Sequence, residues 1–315
     1  MAELFQLVPW LFFVAVTTVS LLVGSFLNVV IYRLPIMMER EWDAANLSWQ
    51  AERTACLEDA PGDTATRDVN TADAPLALPV FNLATPRSAC PVCERPIRAI
   101  ENIPIVSYVA LGGKCAGCKT PISIRYPAVE LFTALLSLCV ALRFGIGWET
   151  VAGVGLTWTL VALSGIDIDK QLLPDSITIP LLWVGLALSL LHGQVESSVL
   201  FIAPADAILG AILGYLAFWS VYQLFKLTTG KEGMGYGDFK LLAALGAWLG
   251  WQMLPVIILL SAAVGALFGI AMMLLRRQQQ GQPMPFGPWI AAAGFVAMLH
   301  GDELIHWYLS LSGLA

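Results

Sequence analysis

Charge is the scarcest commodity in this chain. Only 13% of its 315 residues are Asp, Glu, Lys or Arg, against roughly 25% in an average soluble domain. With 57% of residues hydrophobic, that deficit excludes an ordinary water-facing globule and points to lipid as the solvent. Histidine is nearly absent, with three residues, which leaves little material for a histidine metal site or a histidine-based triad. There is no glycine-rich phosphate loop of the Walker or dinucleotide kind, which argues against nucleotide hydrolysis. Solenoid repeats and heptads are missing too, and no basic tract reads as a nucleic-acid surface, so no nucleic-acid partner is expected.

What is present is a set of long uncharged runs. None of residues 4–32, 176–195, 207–225 or 241–275 carries a charge. About 20 apolar helical residues cross a hydrocarbon core about 30 Å thick, so the last run is long enough for two crossings, and Gly250, Trp251, Gln252 and Pro255 would fold it into a hairpin. Weaker candidates occupy 126–142, 150–166 and 286–299. The expectation is an all-α polytopic membrane protein of about eight transmembrane helices. The first run lacks a basic flank and exceeds an ordinary signal-peptide core, so it reads as a retained anchor.

Basic residues set the orientation. Ten of the 17 lie between Arg33 and Arg125, and Lys170, Lys226, Lys231, Arg276 and Arg277 fall on the same side of an eight-span arrangement. Lys240 sits just beyond one of those loops and Arg143 alone lies opposite. These loops therefore read as cytoplasmic and both termini as extracytoplasmic. His192, His300 and His306 fall on the far side as interfacial residues, away from any nucleophile they would have to serve.

Three regions follow: an anchor over 1–33, a polar cytoplasmic loop over 34–125, and a helical catalytic domain over 126–315. Within the loop, residues 39–73 are rich in Asp, Ala, Thr and Glu and read as a solvated, mobile insertion without chemistry. Residues 86–125 hold Cys, Pro, Gly and Arg, too little apolar matter for a core of their own. Cys90-Pro-Val-Cys93 and Cys115-Ala-Gly-Cys118 stand 21 residues apart, the spacing of a four-thiolate zinc site. A cytoplasmic address favours metal over disulfides, and a structural ion stabilises a knuckle lacking a core. Cys56 and Cys139 read as bystanders.

Two acids carry the chemistry. Asp167 ends an uncharged run in Ser164-Gly-Ile-Asp167-Ile-Asp169-Lys170, and Asp238 follows Gly235 and Gly237 and opens another. Carboxylates at membrane depth are costly and face a wet cavity or a bundle interior, which makes them functional candidates. Paired, they share a proton in the manner of aspartic proteases, one activating water and the other protonating the leaving amine. Asp169 and Asp175 read as boundary charges. A proton-coupled transporter using the same aspartates is the alternative, and a membrane thiol oxidoreductase using the Cys-x-x-Cys pairs is a third class.

Gly24-Ser-Phe-Leu-Asn-Val-Val-Ile-Tyr-Arg-Leu-Pro35, the paired Cys-x-x-Cys turns, the segment from Ile166 to Asp175, and Gly233-Met-Gly-Tyr-Gly-Asp238 together resemble the bacterial type IV prepilin peptidases, and through Gly-x-Gly-Asp the presenilin-type proteases. The resemblance covers nearly the whole chain, apart from the 39–73 insertion. It implies catalysis by Asp167 and Asp238 with Gly235 and Gly237 in support, and Cys90, Cys93, Cys115 and Cys118 on zinc. The implied reaction removes the basic leader of type IV prepilins and secretion pseudopilins after a glycine. S-adenosylmethionine-dependent N-methylation of the new terminus follows, in the lipid bilayer of the bacterial inner membrane. Methyl-donor residues are unassigned, with Gly112, Gly113 and the knuckle as nearby candidates.

Overall fold

A computed structural model describes residues 8–58, 81–194, 199–231, 233–275 and 284–312. Among these the regular structure is helical, with isolated backbone bridges only at Ala89↔Pro96 and Lys114↔Pro121. The principal helices are α1 (Pro9–Glu58), α2 (Arg125–Phe144), α3 (Trp148–Lys170), α4 (Asp175–Ser189), α5 (Pro204–Thr229), α6 (Tyr236–Leu249), α7 (Leu254–Leu274) and α8 (Gly287–Ser312).

Among the described residues, five helices are long and apolar enough to cross a membrane: α1, α2, α3, α5 and α7, the last counted from Trp251. Helices α4 and α6, at 15 and 14 residues, rise only about 21–23 Å at 1.5 Å per residue. Helix α8 is broken by non-helical backbone at His300. The expected hairpin in 241–275 is there. Gly250 adopts φ 86°, the turn Trp251–Met253 follows, and Pro255 sits in the first turn of α7, where its missing N–H costs nothing.

The first helix departs from the expected division of the chain. It does not end near Arg33 but continues to Glu58, through much of the segment read as a mobile insertion. The cause is local: residues 36–58 contain Met, Glu, Arg, Ala, Leu and Gln, strong helix formers that carry the helix on after the apolar run stops. Residues 39–54 are exposed along it, and Glu39 Oε1 pairs with Lys170 Nζ at 2.8 Å. Residues 59–73 of that expectation lie outside the described residues.

Helix α6 is the centre of the bundle. Every residue from 241 to 250 is buried, against α4, α5 and α8. Its contact with α5 is backbone to backbone: a Cβ added at Gly210 would fall 2.1 Å from the Gly246 carbonyl oxygen, so both positions require glycine. Trp248 caps the contact with α4 by donating to the Leu181 carbonyl at 2.8 Å. Helices α1, α2 and α3 form a second packed group around Leu27, Ile31, Val161 and Ile166. Between α3 and α4 lies an apolar cleft of about 860 Å³.

Candidate functional site

Asp167 lies in the last turn of α3, and its carbonyl accepts from Gln171, whose φ of 52° terminates the helix. Its side chain is 5% exposed. Asp238 is in the first turn of α6 and 8% exposed, and its backbone N–H donates to the Gly235 carbonyl at 3.2 Å. The two carboxylates are close enough for the charge on one to act on the other. Both predicted acids thus converge at one end of the bundle, buried but at helix ends.

Neighbours fix that convergence. Tyr236 and Phe239 flank Asp238 and pack on Tyr222 of α5, with ring centroids 5.3 and 5.6 Å apart. Leu173 sits between the aspartate-bearing elements: a Cβ on Gly237 would come 2.6 Å from its Cβ. Gly237 is therefore a close-approach position, while Gly235 serves as the N-cap of α6. Asp169 pairs with Arg125 at 2.5 Å and Asp175 with Lys240 at 2.6 Å, so the boundary acids tie the start of α2 to the end of α3 and the start of α4 to α6.

One residue of the site was not foreseen. The backbone N–H of Gly287, at the start of α8, donates to Asp167 Oδ2 at 2.9 Å. The first N–H groups of a helix have no internal partner and carry the positive end of its dipole, so they suit a carboxylate. A Cβ here would lie 2.8 Å from that oxygen. The available signal was the Pro285-Phe286-Gly287-Pro288 cluster opening an uncharged run, a helix start without a charged residue to draw the eye.

The knuckle is made of two like turns. Cys90 N–H donates to the Arg95 carbonyl and Glu94 N–H to the Cys90 carbonyl, and Cys115, Thr120 and Lys119 repeat the pattern. Glu94 and Lys119 take matching φ values of 55° and 62°. All four sulfurs lie within 4.8 Å of one another, with Cys90–Cys118 at 3.7 Å and Cys93–Cys115 at 4.0 Å. Thiolates about 2.3 Å from a tetrahedral ion stand about 3.8 Å apart, so the four-cysteine set fits a metal. Cys118 Sγ is hydrogen-bonded to Thr120 Oγ1 at 3.1 Å, and this hydroxyl together with the Thr120 backbone lowers the pKa of its thiol to about 6. Arg95 bridges the turns to Glu101 at 2.6 Å.

The motif in the first helix holds the knuckle against the bundle. Arg33 donates to the carbonyls of Asn82 and Pro86, at 2.9 and 2.7 Å, and Asn28 donates to Tyr126 at 3.1 Å. Gly112 and Gly113 form a positive-φ turn between the short helix Val106–Ala110 and Cys115. Cys139 is a free thiol exposed on α2, and the side chain of Cys56 lies outside the described residues. His192 bonds the Phe201 carbonyl, and His300 marks the break in α8.

Comparison with known families places the knuckle and the aspartates in two separately matched segments. The bacterial peptidase A24 N-terminal domain matches residues 18–144, which include the knuckle, and the type IV leader peptidase family matches residues 154–270, which include both aspartates. The chain belongs to the type IV leader peptidase family. Among its relatives in this family, a protein of Aeromonas hydrophila is 53% identical over 308 residues, covering 98% of this chain and 97% of its own length. One of Pseudomonas aeruginosa is 51% identical over 305 residues (97% and 96%), and one of Burkholderia pseudomallei 44% over 297 residues (93% and 86%). Each is named prepilin leader peptidase/N-methyltransferase. No solved structure matches the chain. As a leader peptidase family member, the chain places Gly287 and its α8 beyond the matched segment.

Proposed function

We propose that this chain is a prepilin leader peptidase and N-methyltransferase in which Asp167 and Asp238 form the hydrolytic pair. The convergence of two buried carboxylates from α3 and α6 at one end of an apolar bundle carries the reading. Two acids within each other's field do not both ionise readily, so the pair shares one proton. The ionised member takes a proton from water as the water attacks the scissile carbonyl, and the protonated member donates to the developing oxyanion and then to the leaving amine. No covalent intermediate is needed. The Gly287 N–H holds the Asp167 carboxylate, and the Gly235 N-cap with the aromatic packing of Tyr236 and Phe239 fixes the turn that carries Asp238.

The substrates are type IV prepilins and secretion pseudopilins. A prepilin inserts its apolar helix and keeps its basic leader in the cytoplasm, which puts the scissile bond after glycine at the membrane face where the aspartates are assigned. The protein is accordingly placed in the bacterial inner membrane with its knuckle cytoplasmic. Zinc is the proposed ion, held by Cys90, Cys93, Cys115 and Cys118, and it serves folding. S-adenosylmethionine supplies the methyl group for the new N-terminal residue. A proton-coupled transporter would want its carboxylates nearer the bilayer midplane than helix ends place them.

The test is cleavage of a purified prepilin in proteoliposomes by wild type, Asp167→Asn and Asp238→Asn, with folding checked for each. Each substitution should lower turnover by roughly 10²–10⁴-fold, and the double variant by little more. Full cleavage by either folded variant refutes the pair.

A further inference from the structure

A second cavity, about 480 Å³, opens between α1, the start of α2 and the knuckle arm. Its size falls in the roughly 300–1,000 Å³ range of small-molecule sites. Its walls include Asn28, Tyr108, Tyr126 and Glu130, while its two arginines are engaged elsewhere, Arg95 with Glu101 and Arg33 with the carbonyls of Asn82 and Pro86. It shares none of its lining with the aspartate site.

Glu130 is the unexplained residue. It lies inside the apolar span α2 and is 7% exposed. Its Oε2 accepts from the Ile105 N–H at 2.8 Å. This donor is neutral, and among the described residues no lysine, arginine or histidine forms an ion pair with it. A carboxylate taken out of water without a countercharge is costly, and buried charges are ordinarily paired or bind a cation. A cavity lined by such a carboxylate and by the rings of Tyr32, Tyr108 and Tyr126 suits a cationic ligand with a flat aromatic part.

The position suits the proposed reaction order. Arg125, next to Tyr126, pairs with Asp169, two residues beyond Asp167. The cavity and the hydrolytic pair therefore flank one ion pair that joins α2 to α3.

We propose that this cavity binds the sulfonium methyl donor S-adenosylmethionine, with the Glu130 carboxylate as counter-anion to its positive charge. The inference rests on the methyltransferase half of the function proposed above. Transfer would form an N–C bond from the lone pair of the substrate amine, leave the C–S electrons on sulfur as an uncharged thioether, and release the amine proton to water. Glu130 thus favours the sulfonium donor over its product, S-adenosylhomocysteine, whose sulfur is uncharged.

Equilibrium binding on the purified full-length protein in nanodiscs tests this with two probes, S-adenosylmethionine and S-adenosylhomocysteine. Glu130→Gln keeps the acceptor for Ile105 and removes the charge. It should weaken S-adenosylmethionine binding about tenfold or more and bring the affinity ratio of the two probes toward one, with folding followed by metal content and melting. Unchanged binding and ratio in the folded variant would assign Glu130 to the Ile105 loop alone and overturn the proposal. Ultraviolet crosslinking of labelled S-adenosylmethionine to wild type needs no variant: label on peptides bearing Asn28, Tyr108 or Tyr126 supports the site, and label confined elsewhere overturns it. A wild type that methylates cleaved pilin but labels elsewhere refutes this site only, whereas one that neither methylates nor binds the donor refutes the methyltransferase reading itself.

Discussion

Gly287 and Asp167, 120 residues apart in the chain, meet through one 2.9 Å hydrogen bond from a helix's first N–H to a carboxylate oxygen. The bond leaves no room for a side chain, since a Cβ on Gly287 would lie 2.8 Å from Oδ2 and 3.2 Å from Leu173 Cδ2.

Gly287→Ala should therefore displace Asp167 without unfolding the bundle. Misplacing a reacting group by about 1 Å can cost about 10²-fold in rate. Steady-state cleavage of prepilin should show a fall of that order in kcat, with the melting temperature nearly unchanged. Wild-type turnover would mean the contact does not position the acid.

Gly237→Ala meets a different obstacle, the Cβ of Leu173 at 2.6 Å. The single substitution should depress cleavage. Leu173→Ala keeps its own Cβ but removes the γ and δ carbons, so the loop can retreat and the double variant should recover part of the loss. Coupling of roughly 0.5–3 kcal/mol in a double-mutant cycle is the expected signature for residues in contact. Simple additivity would show that Leu173 is not what Gly237 makes room for.

Metal removal should act on stability before chemistry. The purified protein should carry about one ion, and chelation should lower its melting temperature and open four thiols to alkylation. Cys90→Ser, at the buried corner of the set, should reproduce the loss of stability. Elemental analysis together with mass-mapped alkylation decides the matter. A metal-free protein that melts at the same temperature contradicts a structural ion.

Local chemistry was legible where it obeys short-range rules. Two Cys-x-x-Cys turns announce four converging sulfurs because each turn's geometry is closed by its own backbone bonds. Gly250 and Pro255 likewise mark a hairpin with nothing more than φ preference and a missing N–H. The extension of α1 to Glu58 was hidden because a solvated helix has no apolar stripe to betray it. Gly287 was hidden for the opposite reason: its contribution is a backbone N–H, which no side-chain pattern records, and its partner lies in another helix. Glu130 lies in the second turn of its span, where an acid reads as a boundary charge, and its contact with the Ile105 backbone leaves no mark in the sequence.

From residue 241 onward helix α6 has no lipid face, and this changes what the membrane can do to the enzyme. Its 14 residues are shorter than the hydrocarbon core, yet every residue from 241 to 250 is enclosed by protein. A thicker or thinner bilayer must be met by tilt or strain in the outer helices such as α1, α5 and α7, whose apolar surfaces are open. Asp238 rides on the one helix that such adjustments reach last. The bundle thus works as a suspension, letting the end that carries the two aspartates keep its alignment while its casing follows the membrane.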